Sequence, residues 1–458
     1  MSDFSVAGRR VVVMGGGRSG AAAAELLVAR GARVTLTDLK TALPNEARLR
    51  AAGVELALGG HPADLLAGAD LIVVSPGVAW DLPVLDGIRR RGVPVIGEIE
   101  LAWRFLKGRV IAVTGTKGKS TTTTLIGRML GEEGVKATAG GNLGLALSLQ
   151  VAESTPDTIH VVEVSSFQLE ATETFHPWIA VLLNVSTDHL DRHPTFEAYV
   201  RAKGRVFANQ DEGDWAIVNA DDPPALRLAR ESKARTRRFA LDAPLSEGVA
   251  LSGGWISDRT PAGETPLIPV SSIRLLGRHL VSDVMAAAAA ARLAGVSPGA
   301  MTRAVSTFTG LEHTLEPVAD IGGVRFVNDT KATNIEAARR SIESFARDVV
   351  PIIGGRYKGG DFRDLRDLVA DRVTAIIAIG ESRGLVKDAL GDLVPVREAL
   401  SMRDAVRAAK ALAPPGGTVV LAPACSSFDM FSDYAERGRV FKEEVARLAA
   451  DERRVREA

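Results

Sequence analysis

Residues 110–124 (VIAVTGTKGKSTTTT) place two glycines, two lysines and a run of hydroxyls directly after four apolar residues. The apolar run 110–113 reads as a buried strand, and a helix-compatible stretch opens at Thr121. Between them, Gly115, Thr116, Lys117 and Gly118 form a turn whose backbone N–H groups and following helix dipole aim at one point, which suits a phosphate. Lys119 adds a mobile positive charge for β- and γ-phosphates, and the Ser120 hydroxyl is placed to ligate Mg²⁺. The spacing departs from G-x-x-x-x-G-K-[ST] at Val113, where that pattern has its first glycine. Further on, Glu163 lies in the apolar run 160–164, from which a carboxylate can hold Mg²⁺ directly or through water. Residues 184–193 (NVSTDHLDRH) follow another strand, and His189 among them can ligate a metal or move a proton. Lys203, on the helical stretch 196–209, reads by itself as a solvated surface lysine.

Two more groups of residues could do chemistry. Near the N-terminus, the strand 10–14 runs into Gly15-Gly16-Gly17-Arg18-Ser19-Gly20, then an alanine-rich helix over 21–30 and a strand over 33–37 that ends at Asp38. That G-x-G-x-x-G with an acidic residue about 20 positions on predicts a nucleotide diphosphate site. Ser75-Pro76-Gly77 ends a further strand, 70–74. Toward the C-terminus, NDTKATN (328–334), GGRYKGG (354–360) and ACSSFD (424–429) each follow a short apolar strand. Three polar or glycine-rich strand ends predict a second pocket, where Lys358 can pair with a carboxylate. Cys425 could serve as a nucleophile, although no histidine follows His313 to activate it.

The elements that must position these groups are short apolar strands between helix-compatible stretches, so doubly wound parallel sheets are expected. Residues 232–272 differ: turn-rich and without helical period, they read as a small β excursion from the central domain. The expected fold is α/β in three domains, each with a largely parallel sheet. These are a Rossmann-like domain over 1–106, a P-loop ATPase-like domain over 107–313 and a Rossmann-like domain over 314–458. At 458 residues the chain exceeds one hydrophobic core. With 46% apolar residues, 24% charged residues and no net charge, it is expected to be a soluble enzyme that binds no nucleic acid. One cysteine, no apolar leader in residues 1–10 and no apolar run of 18 residues point to a cytoplasmic protein without a membrane segment.

Taken in order, the motifs resemble the Mur ligases of peptidoglycan synthesis over nearly the whole chain. The resemblance rests on TGTKGKST (114–121), GGNLG (140–144), VEVSSFQLE (162–170), NVSTDHLDRH (184–193), NADD (219–222), NDTKATN (328–334), GGRYKGGDF (354–362) and APACSSFDMF (422–431). The last three, with the short first domain, look most like the D-glutamate-adding members. The resemblance implies ATP-dependent amide-bond formation through an acyl phosphate, with ATP and Mg²⁺ required and UDP-N-acetylmuramoyl-L-alanine and D-glutamate as substrates. It puts ATP phosphates on Gly115, Thr116, Lys117, Gly118, Lys119, Ser120 and Thr121, and the ribose at Asp329. Metal ligation falls to Ser120, Glu163, His189 and Lys203, the last as a carbamate formed with CO₂; Lys119, Glu163, His189 and Lys203 are the expected catalytic set. The UDP-sugar is expected at Gly15, Gly17, Arg18, Ser19, Gly20, Asp38, Ser75, Gly77, Asn142, Ser165 and Gln168. Thr333, Lys358, Ser427 and Tyr434 are expected around D-glutamate, and Lys331 and Phe428 are expected among the substrate-binding residues. The expected state is a monomer.

Leu280, Asp283 and Thr314 stand where the family usually has Asn, Asn and Arg, which implies weaker ATP binding or a looser preference among purine triphosphates. Rival readings are a related Mur or folylpolyglutamate-type ligase with another acceptor, an NAD-dependent oxidoreductase resting on the first glycine motif alone, and a non-catalytic nucleotide-binding relative.

Overall fold

The computed structural model describes residues 4–188, 192–275 and 277–457. Among the described residues, twenty strands form three sheets. The first holds β1 (Arg10–Met14), β2 (Arg33–Asp38), β3 (Glu55–Leu58), β4 (Leu71–Val74) and β5 (Val95–Gly97) in the order β3-β2-β1-β4-β5, all parallel. The order reverses at β1, so the glycine turn after β1 opens at a topological switch point.

The second sheet has nine strands: β6 (Arg109–Thr114), β7 (Ala137–Gly141), β8 (Ile159–Glu163), β9 (Ile179–Leu182), β10 (Trp215–Asn219), β11 (Arg235–Ala240), β12 (Gly248–Ser252), β13 (Trp255–Thr260) and β14 (Gly263–Pro269). Their order is β14-β13-β12-β11-β10-β9-β6-β8-β7. Strand β6 lies between β8 and β9, parallel to both, and is fully buried beyond its first residue. The turn-rich stretch after residue 232 is β structure of the central domain, as its pattern predicts, and it extends the main sheet. Strand β11 pairs in parallel with β10, β12 in parallel with β11, and β13 and β14 continue the same sheet as an antiparallel meander. Two-residue turns join β12 to β13 and β13 to β14, which is why the stretch is turn-rich and lacks a helical period.

The third sheet holds β15 (Glu316–Ile321), β16 (Val324–Asn328), β17 (Val349–Gly354), β18 (Ile376–Ile379), β19 (Val396–Ala399) and β20 (Thr418–Leu421), in the order β15-β16-β20-β17-β18-β19. Only the edge strand β15 is antiparallel. Because β20 lies between β16 and β17, the three polar strand ends read from sequence leave the sheet side by side.

The chain divides into two compact units, Met1–Ile273 with Ser282–Thr307, and Arg274–Val281 with Phe308–Ala458. The first two sheets share one unit because helix Glu98–Trp103, which follows β5, is spent on the second sheet's connections. Glu100 is fully buried and accepts from the Glu173, Thr174 and Phe175 backbone N–H groups, the Thr174 hydroxyl and Arg104. Glu98 accepts from Ser148 N at 2.7 Å. The Glu100 carboxylate, with five donors, ties these backbone segments firmly.

Candidate active site

The turn after β6 has the cradle geometry that its residue types predict. Helix Lys119–Glu132 starts directly at Lys119, and Gly118, its N-cap, has φ +85°. A Cβ on Gly118 would lie 2.1 Å from Asp283 Oδ1, so both backbone conformation and space require glycine there. The turn is braced from β9's end: Thr116 N donates to Asn184 O (2.9 Å), Lys117 N to Asn184 Oδ1 (2.9 Å), and Ser186 N to Thr116 Oγ1 (3.0 Å). Lys117 Nζ pairs with Asp188 Oδ2 at 3.4 Å. Lys119 Nζ donates to the carbonyls of Gly115 and Thr116, each at 2.9 Å, folding its charge back over the turn.

Lys203 is not a surface lysine: it is 1% exposed, near the end of helix Phe196–Gly204. Its Nζ donates to Gly115 O at 2.7 Å, the same carbonyl that Lys119 uses, and lies 4.5 Å from the Tyr199 ring centroid. Burial, reinforced by the Lys119 and Lys117 charges, pushes its pKa well below the usual lysine range, although Asp188 and Glu163 pull the other way. Tyr199 is held by Thr116 Oγ1 at 3.2 Å, and burial raises its phenol above the ordinary range. Tyr199 was not picked out by sequence; its place one helical turn before Lys203 was the available signal.

Glu163, the last residue of β8, is buried. Its Oε1 accepts from Asn142 Nδ2 at 2.7 Å, and Asn142 N donates to Glu163 O at 2.9 Å. Among the described residues its Oε2 is buried with no hydrogen-bond partner. An orphaned carboxylate oxygen close to a phosphate cradle fits a hard divalent cation such as Mg²⁺. His189 lies outside the described residues. Ser165 and Gln168 form a capping box on helix Ser166–Glu170, each side chain accepting from the other's backbone N–H, so their polar groups serve that helix.

In the first sheet, Gly16 N donates to Asp38 Oδ2 at 2.6 Å and Lys40 N to Asp38 Oδ1 at 2.9 Å. Partial burial would raise the Asp38 carboxyl, but these N–H groups outweigh it and hold it below its usual value. Gly15, Gly17, Arg18, Ser19 and Gly20 therefore adjoin Asp38 at one strand end, and Ser75, whose N donates to Met14 O, stands beside them with Gly77. The helix after the turn begins at Arg18, earlier than the alanine run suggests, and Arg18 reaches Gly144 O at 3.5 Å.

In the second unit the three loops meet. Arg356 and Ser426 exchange backbone hydrogen bonds at 3.0 and 3.1 Å, and Ala424 N donates to Ala332 O at 2.9 Å. Ala424 and His313 both hold positive φ, +58° and +70°, a strained conformation for residues with a side chain. Thr330 Oγ1 donates to Tyr434 O, and the Tyr434 ring meets His313 edge-on at 6.2 Å. Lys358, Phe428 and Tyr434 are exposed, while Ser427 is buried. The loop 329–334 supplies Lys331 and Thr333; Asp329 Oδ1 accepts from Leu315 N at 3.1 Å. Burial raises the Cys425 thiol, which argues against a nucleophile there. Leu280 packs in this unit's core with Leu315, Val327 and Ile342, so its side chain serves packing.

A phosphate cradle and an orphaned carboxylate at the ends of neighbouring strands, with a buried lysine reaching the cradle from a helix, define a phosphate-handling α/β enzyme. The sequence matches the MurD-like N-terminal domain of Mur ligases over residues 9–97, the Mur ligase middle domain over 113–291 and the Mur ligase glutamate ligase domain over 315–425. The UDP-N-acetylmuramoylalanine–D-glutamate ligase of Acidobacterium capsulatum is 46% identical over 443 residues, spanning 96% of each chain. That of Koribacter versatilis is 42% identical over 458 residues, covering 98% of this chain and all of the relative. Among solved structures, a pseudomurein peptide ligase type C from Methanothermus fervidus superposes with TM-score 0.62 at 17% identity, covering 96% of this chain and 100% of that one. MurF ligase from Thermotoga maritima, solved in complex with ADP, gives 0.60 at 16% identity, covering 97% of this chain and 96% of that one. These two establish a shared fold. The chain belongs to the Mur ligase family, in its UDP-N-acetylmuramoylalanine–D-glutamate ligase branch.

Proposed function

We propose that this chain joins D-glutamate to UDP-N-acetylmuramoyl-L-alanine with hydrolysis of ATP to ADP and phosphate, in peptidoglycan precursor synthesis. The observation that carries the reading is the convergence of Lys119 and Lys203 on Gly115 O, in the electrostatic neighbourhood of Glu163. Chains 40–46% identical over nearly full length support the choice of substrates. A free carboxylate is a poor acyl donor because its leaving group would be oxide. Its oxygen instead attacks the γ-phosphorus and ADP leaves; the amine of D-glutamate then attacks the acyl carbon, phosphate departs and one proton is released.

Each group has a task its surroundings support. Backbone N–H groups of the cradle and the start of helix Lys119–Glu132 hold the phosphates, and Lys119 swings from its two carbonyls to the transferring group. Ser120, Glu163 Oε2 and Lys203 would hold Mg²⁺, together with His189; the cation, when bound, offsets charge that develops on the phosphoryl oxygens. The depressed pKa of Lys203 keeps a larger share of its amine neutral, the form that can add to CO₂ and become an anionic ligand. Asn142 holds Glu163 and, through the loop it starts, the sugar substrate. Gly15, Gly17, Arg18, Ser19, Gly20, Asp38, Ser75 and Gly77 take the uridine diphosphate, while Thr333, Lys358, Ser427 and Tyr434, with Lys331 and Phe428, take D-glutamate. Domain limits at 106/107 and 313/314, a cytoplasmic location and a monomeric state belong to the same proposal. Among the described residues no helix is long and apolar enough to cross a membrane.

The test is phosphate release from ATP and Mg²⁺ with UDP-N-acetylmuramoyl-L-alanine, comparing D-glutamate, L-glutamate, L-lysine and no amino acid. Release that needs both the nucleotide-sugar and D-glutamate is expected. Release driven better by another amino acid, or none at all, refutes the assignment.

A further inference from the structure

We infer that Arg437 is a positioning residue of the amino-acid site: its buried guanidinium fastens the loops after β16 and β20 to the last helix, so that the groups facing D-glutamate keep one arrangement. The inference rests on the D-glutamate reading above. Arg437 lies in helix Tyr434–Glu457, is 1% exposed and is the largest fully buried side chain among the described residues. Nε donates to Thr330 Oγ1 (2.9 Å), Nη2 to Thr330 O (3.0 Å) and Nη1 to Cys425 O (3.1 Å). Thr330 Oγ1 in turn donates to Tyr434 O at 2.9 Å, closing a ring from helix to loop and back. The third loop abuts the same group. Gly355 has φ +136°, and a Cβ there would lie 3.3 Å from Arg437 Nη1 and 2.2 Å from Ser426 O.

None of these hydrogen bonds goes to a carboxylate. Burial lowers the guanidinium's pKa to about 10, against the opposing pull of Cys425 and Asp429, so it is charged at neutral pH. A buried cation bonded to neutral oxygens is costly compared with an apolar side chain of the same size, and here its planar fork binds two loops at three points. One of those loops contains the strained Ala424 (φ +58°), which must be held against relaxation. Lysine at 437 would keep the charge and lose the fork.

The experiment uses the full chain with Arg437→Lys and Thr330→Val, the second removing only the Nε acceptor and the hydroxyl. Steady-state kinetics are run against each of the three substrates, and hydrogen exchange is followed in residues 329–334 and 424–431. Loss of charge-assisted hydrogen bonds is expected to raise KM for D-glutamate about tenfold in Arg437→Lys and several-fold in Thr330→Val. KM for ATP and for the nucleotide-sugar should stay within about twofold, and exchange in both loops should quicken while β20 stays protected. Equal rises in all three KM values, or an unchanged D-glutamate KM in either folded variant, overturn the inference. If the wild-type chain does not depend on D-glutamate at all, the functional reading fails. The fastening is then judged by exchange alone: faster loops sustain it and unchanged loops overturn it.

Discussion

His160 links acid stability to the strand that carries Glu163, and its contribution can be worked out. It lies on β8, fully buried, three residues before Glu163. Ser154 Oγ accepts from Lys107 N (3.0 Å) and Gly108 N (3.2 Å), which leaves its own proton for His160 Nε2 at 2.9 Å. On the other side, Nδ1 faces Thr138 Oγ1 (2.9 Å) and Gln150 Oε1 (3.2 Å), where it acts as donor. The ring is therefore held neutral, and a second proton on Nε2 would point at the Ser154 hydroxyl proton. Burial, helped by the Lys136 charge, lowers the pKa from 6.5 to about 4. The unfolded chain binds the extra proton first, so stability is full above pH 6.5 and is lost as pH falls toward 4. With those two values the loss at pH 5 is about 2 kcal/mol, and at most about 3 kcal/mol below pH 4. The assay is hydrogen exchange of β7 and β8 amides between pH 5 and 7, corrected for intrinsic rates, in wild type and His160→Gln. His279, also lowered to about 4, belongs to the other unit and does not enter this readout. Wild type should lose about 2 kcal/mol of opening free energy at pH 5, and the variant should lose that slope whatever its absolute stability. An unchanged slope in His160→Gln refutes the reasoning.

Gly118→Ala forces a side chain into left-handed backbone at about 1–2 kcal/mol and drives a methyl into Asp283, so melting temperature should drop and KM for ATP should rise about tenfold. Adding Asp283→Ala should recover part of the melting temperature; if it recovers none, the clash is not the cause. Lys203 should make activity depend on bicarbonate: CO₂-depleted enzyme should lose turnover and regain it on bicarbonate addition, less completely as pH falls and the amine protonates. Turnover indifferent to CO₂ in wild type would remove the carbamate. Leu280→Asn would bury an amide in the second unit's core and cost about 2–3 kcal/mol, with the ATP-to-GTP preference unchanged. A gain in ATP preference with no loss of melting temperature would return Leu280 to the nucleotide site.

What the sequence made legible was what local pattern determines. Apolar runs followed by glycine-rich or polar stretches marked β1, β6, β16, β17 and β20 and the turns after them, because a buried parallel strand and its ligand-facing turn are continuous in the chain. The sequence pattern marks the stretch after residue 232 as β structure of the central domain, but not its place in the main sheet, since sheet membership of β11 to β14 is decided by the register with β10, a partner distant in sequence. Lys203 shows the same limit at the site. On its helix it looks solvated, and only its approach to Gly115 O, 88 residues away, turns it into a buried amine. Leu280 shows the converse, since a position assigned to the nucleotide by resemblance is occupied here by a core side chain. Arg437 was invisible for the strongest reason: in a helix rich in Lys, Arg and Glu, nothing local separates a cation that turns inward from those that stay in water. Its role follows from where β16 and β20 end, and strand order is a property of the whole sheet. Groups on the marked turns can be read early; Lys203 and Arg437, which reach those turns from helices, are selected by non-local contacts and emerge only once the chain has folded.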